Sequence, residues 1–130
     1  MKAFIESKFG KLLGKETLYD EMMTDDYRAK IGQYSLNEER STLAFADKNP
    51  RTLSPRECQV LGILCRHTEK LVNRELLLSN CWQSSSVYAS RSLDIFICRL
   101  RKRLIADPRV KILTIRGKGF ILTANYRQDD

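Results

Sequence analysis

The sequence RSLDIFICRLRKRL occupies residues 91–104 and decides the fold. Its apolar residues Leu93, Ile97, Leu100 and Leu104 are spaced four, three and four apart, so they line one side of an α-helix. We therefore predict a helix over residues 91–106 that buries this stripe in the core of a small domain.

The ends of this helix and its remaining faces carry further signals. Ser90 is suited to be the N-cap, and Asp107-Pro108 ends the helix because proline disfavours helical backbone before it. Residues 90–130 hold ten Lys and Arg against four Asp and Glu, whereas residues 1–89 contribute only +1 to the net charge of +7. Positive charge concentrated beside a core stripe is typical of a nucleic-acid contact surface. The cationic residues of the helix are Arg91, Arg99, Arg101, Lys102 and Arg103.

A β-hairpin is predicted directly after this helix. Residues 111–115 and 120–123 are strand-like, and Arg116-Gly117-Lys118-Gly119 between them is a basic, glycine-rich turn. A basic helix followed directly by a basic hairpin is a more specific sequence pattern than either element alone.

Two shorter helices are predicted before the basic helix. Ser54-Pro55-Arg56-Glu57 has the pattern of a capping box with proline in the first turn, and the helix it starts should end near His67. Asn73 is suited to cap a second helix that ends at Trp82, before the polar residues 83–86. Three helices in this order indicate a helix-turn-helix core.

Short strands are predicted over residues 31–53, in an antiparallel meander with turns at 37–40 and 47–50. Residues 1–13 have the spacing of an amphipathic helix, and residues 14–30 are either a linker or a weak second helix. The predicted class is α+β, with an N-terminal extension over 1–30, a domain over 31–126 that has a helix-turn-helix core and a C-terminal hairpin, and a tail over 127–130.

Several classes of site and segment are not predicted. The cysteines at 58, 65, 81 and 98 lack metal-ligand spacing, so we expect reduced core thiols and a cytoplasmic protein. The one histidine, His67, is explained by its place at a helix end, where it interacts favourably with the helix dipole. There is no phosphate-binding loop, secretory signal or membrane-spanning apolar run. We expect no catalytic residues, metal or cofactor, and therefore no enzyme.

The chain resembles a known family over about residues 31–124. Residues 91–104 are similar to the recognition helix of the OmpR/PhoB-type winged-helix effector domain of bacterial two-component response regulators. Residues 115–120 resemble the wing of that family, 53–57 its first helix start and 76–82 its second helix. The resemblance implies a four-stranded N-terminal sheet, three helices and a hairpin. It also implies sequence-specific binding of double-stranded DNA, with the third helix in the major groove and the wing in the minor groove.

The resemblance also identifies candidate functional residues in this sequence. Phe96 and Cys98 stand where relatives often have polar or basic residues, which implies either weaker phosphate contact or apolar contact with a thymine methyl. Asp94 is expected to be structural and to tie the helix to a wing arginine. A contact with RNA polymerase is implied for the loop of Gln83, Ser84, Ser85, Ser86 and Val87. The candidate DNA-binding residues are Trp82, Arg91, Phe96, Cys98, Arg99, Arg101, Lys102, Arg103, Thr114, Arg116 and Lys118.

The resemblance also implies partners. A receiver domain and a cognate histidine kinase are expected in a phosphorelay if the chain is a fragment, because residues 1–30 are too short to form a receiver. Those residues are either the end of a receiver with its linker or a native extension. Two copies on spaced half-sites are expected on DNA, because one small domain buries limited surface. The alternative is a basic amphipathic module that docks on a membrane surface or a protein.

Overall fold

A computed structural model of the chain describes residues 28–127, and it begins with an antiparallel sheet of four short strands. The predicted meander is confirmed, and the strands pair in chain order. The sheet also includes a strand that begins in the stretch predicted to be a linker or weak helix. The sequence did not reveal this strand, because the apolar alternation of Ala29 and Ile31 is too short to recognise. The strands are β1 (Arg28–Ile31), β2 (Tyr34–Asn37), β3 (Thr42–Phe45) and β4 (Arg51–Thr52).

Three helices and a second antiparallel sheet follow. The helices are α1 (Pro55–Arg66), α2 (Arg74–Cys81) and α3 (Val87–Arg103). The second sheet has the order β5-β7-β6 and is formed by β5 (Leu71–Asn73), β6 (Lys111–Ile115) and β7 (Gly119–Thr123). The predicted hairpin is β6–β7. The sequence did not reveal β5, since three residues show no periodicity and their partner β7 lies about fifty residues away.

The capping box at α1 is confirmed. The Ser54 hydroxyl accepts from the Glu57 amide at 3.1 Å, and the Glu57 carboxylate accepts from the Ser54 amide at 2.8 Å. The same buried carboxylate accepts a hydrogen bond from the Arg103 guanidinium at 3.4 Å. One acidic side chain therefore caps the first helix and holds the end of the third.

The third helix begins earlier and ends earlier than the sequence predicted. Its N-cap is Ser86, whose hydroxyl accepts from the Ala89 amide at 3.1 Å, and its last residue is Arg103 rather than Ala106. Ser90 is not the cap, because the helix continues through it and its hydroxyl accepts from Arg74 at 2.6 Å. Val87, predicted to lie in the loop, is therefore the first residue of α3.

The apolar stripe of α3 is the centre of the core. Leu93, Ile97, Leu100 and Leu104 are all almost fully buried, as predicted, and they pack with α1, α2 and the second sheet. One buried carboxylate lies in the loop that follows α3. The buried Asp107 carboxylate accepts from the Gln33 amide at 3.0 Å and from the Arg109 amide at 3.1 Å, which joins the loop after α3 to the β1–β2 turn.

Some predictions fall outside the described residues, namely the helix over 1–13, most of the stretch 14–30 and the end of the tail at 128–130. Within residues 28–127, no helix has both the length and the apolar composition needed to cross a membrane.

The four cysteines are free thiols, but they are not all in the core. Cys58 and Cys81 are buried, and burial raises the pKa of the Cys65 thiol to about 12. Cys98 is exposed on α3, so the prediction of a core thiol is wrong at this position. The reason is helical phase, because Cys98 directly follows the buried Ile97 and points about 100° away from it.

We predict that the Gly119→Ala substitution destabilises the protein by about 1–3 kcal/mol. A Cβ atom at residue 119 would lie 2.1 Å from the Val72 carbonyl oxygen, so β5 and β7 would have to separate. Urea unfolding followed by circular dichroism measures the change. The control is Gly117→Asn, where φ is +74° and a Cβ meets nothing within 4 Å; asparagine tolerates this backbone. Equal stability of the two variants would contradict the close approach.

We predict that an aromatic disulfide reagent at pH 8 modifies Cys98 of the native protein first. The other three thiols are shielded, and a pKa of about 12 leaves about one Cys65 in ten thousand as thiolate at this pH. Mass spectrometry of the modified protein identifies the labelled residue. The Cys98→Ser substitution should abolish the fast phase of thiol modification. Rapid labelling of that variant would show that the burial described for the other thiols is wrong.

Candidate nucleic-acid interface

The outward face of α3 lies opposite its buried stripe and mixes cationic with apolar side chains. Its exposed members are Tyr88, Arg91, Ile95, Cys98, Arg99 and Lys102. Tyr88 is 83% exposed and Ile95 is 53% exposed, so neither is a core residue. The sequence prediction missed both, although the spacing that identifies the core stripe also places Ile95 on the opposite side of the helix.

Phe96 is only partly exposed, because its side chain packs against the protein. Its ring contacts the Trp82 ring edge-on, with centroids 5.8 Å apart and planes at 72°. The indole nitrogen of Trp82 donates to the Ser92 hydroxyl at 3.1 Å, so the end of α2 is fastened to α3. The guanidinium of Arg99 lies 4.9 Å from the centre of the Phe96 ring. Phe96 is thus positioned to orient Arg99, and Ile95 is the more exposed apolar side chain.

Two of the candidate arginines on α3 have partners inside the protein. Arg101 donates through Nε and Nη2 to the Ile112 carbonyl at 3.0 and 2.7 Å, and through Nη2 to the Thr114 hydroxyl at 2.8 Å. These bonds hold β6 against α3, and they bring together two residues that were predicted to contact DNA separately. The second is Arg103, whose guanidinium bonds the buried Glu57.

Asp94 does not pair with a wing arginine, which corrects the expectation drawn from the resemblance. Its carboxylate forms an ion pair with Arg74, at the first residue of α2, with an N–O distance of 2.9 Å. Arg74 also donates to the carbonyl and hydroxyl of Ser90 at 3.1 and 2.6 Å, and its guanidinium lies 5.7 Å from the centre of the Phe120 ring. A single arginine thus joins α2, α3 and β7.

The wing turn carries two exposed cations. Arg116 and Lys118 flank Gly117, which adopts a φ of +74°. The turn is anchored by two backbone bonds: the Lys118 amide donates to the Ile115 carbonyl at 2.9 Å, and the Arg74 amide donates to the Lys118 carbonyl at 3.1 Å. The backbone under these cations is therefore tied to the start of α2.

The loop between α2 and α3 is exposed over residues 83–86. Gln83 has a φ of +50°, and its side chain donates to the Asn80 carbonyl at 3.1 Å. The Ser84 hydroxyl accepts from the Ser86 amide at 3.1 Å, directly before the α3 cap. The loop thus has a defined conformation and presents an uncharged polar surface beside Val87 and Tyr88.

The exposed cations form two neighbouring groups on a rigid frame. One group is on α3 and the other is at the wing tip, and no carboxylate within residues 28–127 lies at ion-pair distance from any of them. Exposed cations on a helix face and on a protruding turn, without acidic partners in the described part of the chain, are suited to a polyanion with two adjacent grooves. The members are Arg91, Arg99 and Lys102 on α3, and Arg116 and Lys118 on the wing.

Comparisons with known proteins agree with this geometry. The family described as "Transcriptional regulatory protein, C terminal" matches residues 48–122. The transcriptional regulatory protein RprY of Bacteroides fragilis is 34% identical over 93 residues, which are 72% of this chain and 39% of RprY. The phosphate regulon transcriptional regulatory protein PhoB of Shigella flexneri is 30% identical over 98 residues, or 75% of this chain and 42% of PhoB.

Solved structures show the same fold. The Klebsiella pneumoniae RstA DNA-binding domain, crystallised in complex with the RstA box, matches with a TM-score of 0.64 and 25% identity, over 75% of this chain and 98% of that chain. The chain spans less than half the length of the curated relatives named above. The family match covers more than half of this chain, and the strand, helix and wing order agrees with it. The chain belongs to the OmpR/PhoB-type family of winged-helix domains that form the C-terminal part of transcriptional regulatory proteins.

Proposed function

We propose that this chain binds double-stranded DNA as the output domain of a two-component response regulator that controls transcription. The observation that carries the proposal is the pair of exposed cationic groups without acidic partners among residues 28–127, one on the outward face of α3 and one at the wing tip. Their spacing is held by Arg101 and Arg74, which bond the wing and α2 to α3. A rigid frame of this kind suits recognition of a regular duplex.

The proposed mechanism separates affinity from specificity. Lys102 of α3 and the wing residues Arg116 and Lys118 replace counterions along the phosphates, which gives salt-sensitive binding of any duplex sequence. Arg91 and Arg99 face the floor of the major groove, where arginine pairs with guanine through its O6 and N7 acceptors. The Phe96 ring under Arg99 limits the rotamers of that side chain and so favours one approach to a base.

In this proposal, three of the candidate residues position the contact surface and do not bind DNA themselves: Arg101, Arg103 and Thr114. Their polar groups already bond within the protein, and moving Arg101 or Arg103 onto DNA would break hydrogen bonds that are partly buried. We infer that Arg101 and Thr114 position the wing and that Arg103 positions the end of α3. Trp82 likewise supports the contact surface through Ser92 and Phe96.

The apolar side chains on the outward face would supply a second kind of base reading. Ile95 lies between Arg91 and Arg99 along the helix, with Cys98 beside it. In the major groove only thymine presents a methyl group, so an aliphatic side chain at this point favours thymine. We assign this role to Ile95 first, because Phe96 packs against Trp82.

The proposed partners extend beyond DNA. The longer length of the relatives supports a receiver domain before this one, with a histidine kinase that phosphorylates it, in the cytoplasm of a bacterium. The ordered, uncharged loop at 83–86 together with Val87 is a candidate contact for RNA polymerase. A homodimer on two half-sites would supply the specificity that one domain lacks.

The alternative of a membrane-surface helix is not favoured. Such a helix must expose its apolar stripe to lipid, whereas Leu93, Ile97 and Leu100 are buried in the core. The face of α3 that remains exposed mixes cationic and apolar side chains and is not a continuous apolar stripe.

We predict that Arg99→Ala weakens binding to a duplex selected by this protein from random DNA. Loss of one arginine–guanine contact costs about 1–3 kcal/mol, or roughly five- to 150-fold in Kd. Fluorescence anisotropy measures Kd, and circular dichroism checks the fold. The matched control is Arg40→Ala, which removes an exposed arginine from the turn after β2. If Arg99→Ala and Arg40→Ala bind alike, α3 does not read the duplex.

We predict that replacing thymine by uracil in the selected duplex weakens binding by the parent chain, about fourfold for each methyl that Ile95 contacts. The Ile95→Ala variant should bind the thymine and uracil duplexes equally, because the methyl then has no partner. The control variant is Leu71→Ala, which removes an exposed apolar side chain on β5 and should keep the preference for thymine. Unchanged thymine preference in Ile95→Ala would rule out methyl reading by this residue.

A further inference from the structure

A cleft of about 850 Å³ lies between the first sheet and the C-terminal half of α3. Its floor is apolar and buried: Tyr34 is 2% exposed and Leu43 is 5% exposed. The Tyr34 and Phe45 rings are in contact, with centroids 5.1 Å apart and planes tilted by 53°, and the Tyr34 hydroxyl accepts from the Ala106 amide at 2.9 Å. Because that hydroxyl is engaged by backbone, the surface left to a ligand on the floor is mainly hydrocarbon. The volume is in the usual range of small-molecule sites.

The rim of the cleft is cationic and comes from two separate parts of the chain. Lys48 and Arg51 are contributed by the β3–β4 turn and β4, and Arg99 and Lys102 by α3. All four side chains are exposed, and no carboxylate in residues 28–127 lies at ion-pair distance from them. Four exposed cations without an acidic partner among residues 28–127 therefore border an apolar floor, and this arrangement favours a ligand of opposite charge.

The one acidic residue in the wall does not neutralise this rim. Glu57 is 3% exposed, and its carboxylate already accepts from the Ser54 amide and from Arg103. With Arg103 included, five cations and one acid line the cleft, a net charge of +4. An anion entering the cleft therefore gains attraction without breaking an existing ion pair of the rim.

We propose that this cleft binds a small amphipathic carboxylate with an acyl or aryl body. The body would lie on Phe45 and on Ile105, which is 77% exposed. The carboxylate would lie between Arg51 on the sheet side and Lys102 on the helix side. An inorganic anion would leave the floor in water, and a neutral hydrocarbon would leave the rim unpaired, so the cleft favours a molecule with both parts.

The shared residues give this site a regulatory consequence, which rests on the proposed function. Arg99 and Lys102 belong both to the rim and to the proposed DNA surface, so carboxylate and duplex would compete for them. Competition is reciprocal: bound ligand weakens DNA binding by the same factor by which DNA weakens ligand binding.

The binding arm of the test uses decanoate and the complete 130-residue chain without DNA. In titrations of the ¹⁵N-labelled protein, decanoate should shift the amide signals of Phe45, Arg51 and Ile105 to saturation. Butanoate, with the same charge and a short tail, should bind at least roughly tenfold more weakly, and neutral 1-decanol should give no saturable shift at these residues. Equal effects of decanoate and 1-decanol would overturn the proposal, as would shifts distributed away from the cleft.

Matched variants test the rim. Arg51→Gln should weaken decanoate binding roughly tenfold, whereas Arg40→Gln, in the β2–β3 turn and outside the lining of the cleft, should leave it unchanged. If the two variants bind decanoate alike, the rim does not recognise the carboxylate. Self-association that decanoate reverses would assign the cleft to a second copy of the chain, and this outcome would also overturn the proposal.

The competition arm uses the duplex selected from random DNA. Decanoate at ten times its Kd should raise the apparent Kd of the duplex about elevenfold. Arg51→Gln alone should bind the duplex as the parent does; a loss like that of Arg99→Ala would make the cleft part of the DNA surface and contradict a ligand site. Failure of duplex binding by the parent would contradict the proposed function instead, and the decanoate titration without DNA would still decide the site.

Discussion

Burial of the apolar stripe of α3 is the constraint on which the rest of the structure depends. Leu93, Ile97 and Leu100 are buried in the core where α3 meets α1, α2 and β6, and burying each contributes about 2 kcal/mol. Once these side chains face inward, the rotation of the helix about its axis is set. The position of every other side chain around the axis of α3 is then fixed as well. That position decides whether the side chain bonds within the domain or is exposed to a partner.

The arginines of α3 illustrate this division of labour. Arg101 is at the side of the helix nearest the hairpin and bonds the Ile112 carbonyl. Arg103 is at the side nearest α1 and bonds Glu57. Arg99 faces outward over Phe96. Three side chains of one chemical type thus have three roles, and two positions along the helix separate the wing support, Arg101, from the candidate base contact, Arg99.

Much of the fold could be predicted because its signals are local. The capping box at Ser54, the cap at Asn73 and the glycine turn at 116–119 all depend on residues within a few positions of one another. The missed features depend on distant partners. The strand β5 forms because β7 pairs with it, and Asp94 pairs with Arg74, twenty residues away. The start of α3 was misplaced because several serines in succession could each have been the cap, and the packing of Ala89 favours Ser86.

By itself, the sequence determined the order of the elements, the buried stripe of α3 and the concentration of positive charge in residues 90–130. These follow from spacing and composition, which are properties of the chain alone. Only the tertiary structure decided which cations have acidic partners among residues 28–127, that Ile95 is more exposed than Phe96, and that Lys48 and Arg51 face α3 across an apolar cleft. Those outcomes depend on distances between segments far apart in the chain, and such distances are set by the packing of the core.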